Sequence, residues 1–138
     1  MQPSLKSVTR NSQPLEVSLS LLDEFLSTLT SPFLSGPDLS HLDCEVLPKL
    51  HHLRVAASIL RGYHIPATYT SLWRYLHHGY NHPVFRRSCP PDQEIVLHWA
   101  GRPDTPTIST ENHNMLTREI PRFSFDIPAL AVPVKIEH

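Results

Sequence analysis

Residues 39–62 read LSHLDCEVLPKLHHLRVAASILRG, and whether they form one helix or two decides the fold. Leu39, Leu42, Val46, Leu50, Leu53, Ala57 and Leu60 recur at steps of three and four, which places them on one helical face. Ser40 followed by Asp43 has the form of a capping box, with Asp in place of the usual Glu, and Leu39 and Cys44 flank it as a hydrophobic staple. Gly62 suits the left-handed residue that closes a helix. Against these signals stands Pro48. A proline inside a helix removes a backbone donor and crowds the carbonyl four residues back, here that of Cys44, at a cost of about 3 kcal/mol or more. The agreement of the other signals predicts a single buried helix, kinked at Pro48.

The same alternation of apolar stripes and proline stops extends in both directions. Leu15, Leu19, Leu22, Leu26 and Leu29 form a helical stripe, broadened by Leu21 and Phe25, with Pro14 suited to a first turn. Residues 1–13 are polar and are expected to be flexible. TSPFLSGPD, residues 30–38, reads as a loop. After the proline-containing connection YHIPATYT, Thr68 or Thr70 can cap a helix that places Tyr69, Leu72, Trp73, Leu76 and Tyr80 on one face. PVFRRS predicts a short helix after His82. PPDQEIVLHW predicts the last one, with Asp92 and Glu94 placed to complement its dipole. No strand alternation precedes residue 100. The expected fold is an all-α helical bundle over residues 14–100, followed by a largely irregular, disordered or extended tail over 101–138. Within that tail, RFSFDIPALAVPVKIEH alternates weakly, and Pro128 and Pro133 argue against an independent strand or helix; disorder is the default, with a docked extended tail or a short interaction motif as the alternative.

Composition narrows the classes of function. The chain has 138 residues and a formal charge of −1, with no basic run, which argues against a nucleic-acid surface. No segment approaches the roughly 18 consecutive apolar residues of a membrane span. No signal sequence opens at Met1, so a cytoplasmic, reducing compartment is expected, with Cys44 and Cys89 as free thiols. Histidine is the unusual component. Ten imidazoles on a chain this close to neutral make a large positive swing on acidification, and the adjacent pairs His51–His52 and His77–His78 are the candidate pH sensors, against the plain alternative of surface histidines with no role.

Other candidates weaken against their chemistry. Cys89 precedes a helix and follows Arg86 and Arg87, which makes it a candidate regulatory thiol; the alternative is a structural Cys-Pro turn. Cys44 reads as an inert core thiol. His78 and His82 lie four apart, but Pro83 ends their helix and no third ligand is evident, so no metal is assigned. Nothing brings a nucleophile, a base and an orienting acid together, so no catalytic residue and no cofactor-binding residue is assigned. The aromatics Tyr69, Trp73, Tyr75 and Tyr80 read as core, and Arg74, Arg86 and Arg87 as a modest cationic patch.

At DCEVLPKLHHLRV (residues 43–55), IPATYTSLWRYLHHGY (65–80) and FRRSCPPDQEI (85–95) the chain resembles the chloride intracellular channel family. Asp43-Cys44, Leu47-Pro48-Lys49-Leu50-His51, Ile65-Pro66, Trp73-Arg74-Tyr75-Leu76 and Cys89-Pro90 occur in that family's order, within a likeness running from about Leu15 to Trp99. The resemblance implies the helical C-terminal domain of the glutathione-transferase superfamily. Pro48 is then a built-in feature of the fold, and Ser40 with Asp43 resembles the capping box of that domain's central helix. The family's redox cysteine, most of its glutathione site and its proposed membrane segment belong to a thioredoxin-like half that this sequence does not contain, and the tail after Gly101 has no counterpart in the pattern. The implied function is chloride transport with pH- or redox-linked membrane association, which would place a fraction of a cytoplasmic protein on anionic membrane lipid. A non-catalytic scaffold or protein-binding module is the alternative, with full-length family members or cytoskeletal proteins as partners. A glutathione-dependent transferase or oxidoreductase ranks last.

Overall fold

The structure is a computed structural model that describes residues 5–100, 102 and 108–128. Among these residues the chain forms six helices and no strand: α1 (Leu5–Ser27), α2 (His41–Arg61), α3 (Thr70–Tyr80), α4 (Pro83–Ser88), α5 (Asp92–Trp99) and α6 (Thr110–Arg118). The all-α expectation holds. No described helix is long and apolar enough to cross a membrane.

α2 is the centre of the bundle. It runs unbroken through Pro48, opens on the Ser40–Asp43 capping box and closes on Gly62, whose φ of 63° and ψ of 20° are left-handed values that favour glycine. The carbonyl that Pro48 leaves without its helical donor belongs to Cys44. Cys44 is exposed, so water can take the donor's place. That corrects the reading of Cys44 as a core thiol, and it supplies the physical reason the proline is tolerated. The buried positions of α2 are Asp43, Leu47, Leu50, His51, Val55 and Ala56, whereas Leu42 is exposed. The inward face is therefore turned by about one residue from the predicted stripe. Two of its members are polar side chains that hydropathy assigns to the surface.

α1 and α4 pack on α3, which leans on α2 from one side, and α5 covers α2 from another. Leu19, Leu26, Leu47, Leu50, Leu72, Trp73, Tyr75, Leu76, Tyr80 and Phe85 form the larger apolar core. Val55, Ala56, Ile95 and Val96 form a smaller one between α2 and α5. Complete burial of a side chain such as Leu47, Leu72 or Leu76 is worth about 1.5–3 kcal/mol.

α2 and α3 approach so closely at Gly79 that an added Cβ there would lie 2.8 Å from Leu47 Cδ2. Leu47 is fully buried and has nowhere to move. Gly79→Ala is accordingly expected to lower stability by about 1–2 kcal/mol, because overpacking outweighs alanine's better helix propensity. A urea titration that finds the variant as stable as the parent would refute this contact.

Three boundaries differ from expectation. α1 begins at Leu5, so Pro14 lies inside it and residues 5–13, predicted to be flexible, are helical. Helix propagation is cheap once a nucleus exists, and no glycine interrupts this stretch. The cap of α3 comes neither from Thr68 nor from Thr70. Its N-cap is Tyr69, and the Asp23 carboxylate on α1 accepts the Leu72 N–H at 2.8 Å. The tail holds the third difference. It contains α6, capped by Ser109 Oγ accepting from the Asn112 N–H, and residues 120–127 then lie against the bundle through side-chain and backbone hydrogen bonds.

Candidate functional site

Two polar clusters are buried in this apolar bundle. The first centres on Asp43, which is fully buried. Its Oδ1 accepts from the Leu34 N–H at 3.0 Å and from the Tyr75 hydroxyl at 2.7 Å, while its Oδ2 accepts from the Ser40 N–H at 2.8 Å and the Ser40 hydroxyl at 2.7 Å. Burial alone would raise the carboxyl's pKa, but these donors together hold it below the ordinary aspartate value. Burial and the facing Asp43 charge push the Tyr75 phenol up, so it stays a donor. One carboxylate thereby ties the loop after α1, the start of α2 and the middle of α3. The arrangement is structural.

The second cluster forms where α2, α3, α4, α5 and the tail meet. His51, on the inner face of α2, has its Nδ1 2.8 Å from the Tyr80 hydroxyl and is buried, with no hydrogen-bond partner for Nε2 among the described residues. Its ring stacks on Phe125 of the tail and meets Tyr80 and Phe85 edge-on. Desolvation, aided by the Arg54 charge and only partly countered by Asp92, depresses the imidazole to about 4. Burial likewise raises the Tyr80 phenol. Arg54, one turn further along α2, lies over the rings of Trp73 and Tyr80 and donates to the backbone carbonyls of Ser124 and Asp126, each at 2.6 Å. An open cleft of about 360 Å³ adjoins it, bordered by Arg54, Ser58, His64, Trp73, Asp92 and Asp126.

The candidate residues chosen from sequence do not converge on one centre. His52 faces the other way from His51 and accepts from Trp99 Nε1 at 3.3 Å; burial, then His98, lowers its pKa. His77 lies within 3.0 Å of the Asn81 amide near the end of α3. His78, lowered by burial and by the neighbouring His77 and Arg74, meets Phe33 edge-on, as does His82. His82 Nδ1 also accepts the Val84 N–H and so caps α4. Among the described residues no three His, Cys, Asp or Glu side chains gather in a way that could hold a metal.

Cys89 is buried, and its thiol donates to the Phe85 carbonyl at 3.3 Å. Burial, reinforced by the nearby Asp92 charge, pushes it up to about 11. That is the reverse of what a regulatory thiol needs, because almost no thiolate exists near neutral pH and the sulfur is screened from reagents. Burial and the raised proton affinity favour the structural Cys-Pro turn over the regulatory thiol for Cys89. Of the expected cationic patch, Arg86 lies over the Phe125 ring at 4.8 Å and Arg87 bonds back to the Pro83 carbonyl.

Sequence reasoning overlooked Arg54, Asp92, Gln93, Ser124 and Phe125 as a set. From sequence, Asp92 is a charge complementing a helix dipole, yet it is buried and accepts from Ser124, both from the N–H at 3.2 Å and from the hydroxyl. The alternation in RFSFDI was the available trace, because an extended segment with every second residue apolar is one that docks.

No family model matches the chain. The chloride intracellular channel exl-1 of Caenorhabditis elegans is 44% identical over 123 residues, 89% of this chain and 52% of the relative. The chloride intracellular channel Clic of Drosophila melanogaster is 36% identical over 107 residues, covering 78% of this chain and 39% of the relative. A crystal structure of the CLIC homologue EXC-4 from C. elegans is similar with a TM-score of 0.73 at 33% identity, over 82% of this chain and 41% of that one. The chain thus spans about half the length, or less, of the relatives it matches. The exl-1 match omits only 15 of the 138 residues, so it takes in more than half of the segment after Gly101, which has a counterpart after all.

Proposed function

Because this chain belongs to the chloride intracellular channel family, we propose that it takes part in chloride transport through acid-promoted association with anionic membrane lipid, and that it acts without catalysis. The likeness to named chloride intracellular channels carries this reading. Two features of the bundle support it. His51, His52 and His78 all have depressed proton affinity in the fold, so protons bind the unfolded or opened chain better and acid loosens the packing. Val17, Leu21 and Phe25, spaced four apart on α1, are exposed and form an apolar strip suited to an interfacial position. Since no described helix can span a bilayer as it stands, conductance by these residues requires rearrangement. A protein that meets membranes only on acidification is proposed to be cytoplasmic otherwise.

The reading is tested by chloride efflux from vesicles of phosphatidylcholine and phosphatidylserine, with the folded chain added at pH 7 and at pH 5.5. Efflux is expected to rise several-fold at the lower pH. Absence of efflux at both values, from protein with a helical circular dichroism spectrum, would sink the transport reading and leave that of a non-catalytic protein-binding module. The docked tail favours that second reading, with full-length relatives or cytoskeletal proteins as the partners to try first.

A further inference from the structure

Residues 120–126 are held chiefly by side chains of α2 and α5 that grip their backbone. Gln93 uses both halves of its amide on one stretch of backbone, donating from Nε2 to the Ile120 carbonyl at 2.9 Å and accepting at Oε1 from the Arg122 N–H at 3.0 Å. The Asp92 N–H donates to the Arg122 carbonyl at 2.8 Å, and its carboxylate takes the Ser124 N–H and hydroxyl. Arg54 then takes the Ser124 and Asp126 carbonyls. The bonded residues are 120, 122, 124 and 126. Alternate residues of an extended chain present their backbone polar groups to one side, as the edge of a sheet would require.

Two of the intervening residues, Phe125 and Ile127, do the apolar work, while Phe123 stays exposed. Phe125 enters between the His51 ring, the Tyr80 ring and the Arg86 guanidinium, and Ile127 packs on the larger core. Of the hydrogen-bonded residues, Ser124 is also read through its side chain, by a carboxylate that accepts the hydroxyl hydrogen bond and repels any anion. Polar side chains that satisfy another segment's backbone, here Arg54 on α2 and the buried Asp92 and Gln93 on α5, can hold an extended ligand independently of most of its side chains.

We propose that Arg54, Asp92 and Gln93, with the aromatic slot of His51 and Tyr80, form a peptide-docking groove that residues 120–127 occupy in cis, and that in trans it takes an extended segment of a partner protein with a serine followed directly by an aromatic residue. The tail is then a built-in competitor. Affinity for a partner is set by the fraction of molecules whose tail has lifted away. A segment with an acidic residue or a phosphate at the serine position is rejected by Asp92.

The experiment is fluorescence anisotropy with a labelled synthetic peptide of residues 118–127, REIPRFSFDI, titrated against three full-length chains: the parent, Ser124→Asp and Ser124→Asp/Gln93→Ala. In Ser124→Asp a carboxylate faces Asp92, so the tail is expelled and the groove is vacant. The expected result is about tenfold tighter peptide binding than by the parent, through removal of the intramolecular competitor. The double variant should lose that gain, and a peptide with Asp at the serine position should not bind. Equal binding by the parent and Ser124→Asp overturns the proposal, as does insensitivity to Gln93→Ala. A parent chain that elutes as a dimer through exchanged tails also overturns it, since the trans ligand is then a second copy. Phe125→Ala vacates the slot by a different route. If both tail variants unfold the bundle by circular dichroism, residues 120–127 are a core element rather than a ligand, and the proposal fails.

Discussion

Asp43→Ala is expected to lower the free energy of unfolding by about 3–5 kcal/mol, a large share of the roughly 5–15 kcal/mol that an ordinary domain has. The magnitude follows from what the carboxylate holds. It accepts hydrogen bonds from Ser40, Leu34 and Tyr75, and its loss orphans donors in a fully buried site while detaching a loop and two helices from one another. Ser40→Ala removes one hydroxyl from the same cap and should cost only about 1 kcal/mol. Urea unfolding of the two variants checks the difference. If Asp43→Ala proves no more harmful than Ser40→Ala, the carboxylate is a local cap and not the tie between α2 and α3. Because its pKa is depressed in the fold, its contribution is present at neutral pH and disappears only as acid protonates it, below the ordinary aspartate range.

The second large effect is a pH dependence centred on His51. Its folded pKa, about 4, lies below the value near 6.5 of a free imidazole, so the unfolded chain binds the proton more tightly. Stability from this group is complete above pH 6.5 and falls as the pH drops toward 4. The loss amounts to about 1.4 kcal/mol at pH 5.5 and about 3 kcal/mol at pH 4. The groups facing the imidazole set this behaviour: Arg54 and His52 disfavour its charge, and Asp92 favours it without overcoming burial. Unfolding free energies measured from pH 7.5 to 4.5 should therefore show a clear acid slope. His51→Asn, which keeps a polar atom near the Tyr80 hydroxyl, should flatten that slope whatever it does to stability at pH 7. Parallel pH curves for the parent and the variant would assign the acid sensitivity to other groups.

Much of the bundle is legible in the sequence because its signals are local. The proline that opens α4, the glycine after α2 and the apolar spacing of α3 each act within a few residues, and each element appears where they place it. What the sequence hides is burial obtained through hydrogen bonding. Asp43 and His51 count as surface residues on any hydropathy scale, yet they lie on the inner face of α2, and their neighbours Leu42 and Cys44 face out in consequence. Pro48 could be weighed as a cost, but the compensation depends on Cys44 facing solvent, which the apolar stripe alone does not give. The docking of the tail is hidden for a related reason. Its attachments run from Arg54, Asp92 and Gln93 to backbone atoms, and backbone acceptors are the same in every sequence.

The separation along the chain between Arg54 and its tail partners, 70 residues to Ser124 and 72 to Asp126, has a consequence for biogenesis. At a synthesis rate of about 5–20 residues per second, roughly 4–14 s pass between emergence of the arginine and of its partners from the ribosome. Once Tyr80 has followed, the new chain carries for the rest of that interval a guanidinium and an aromatic slot with nothing yet available to close them. The nascent chain is thus open to any segment able to reach it first.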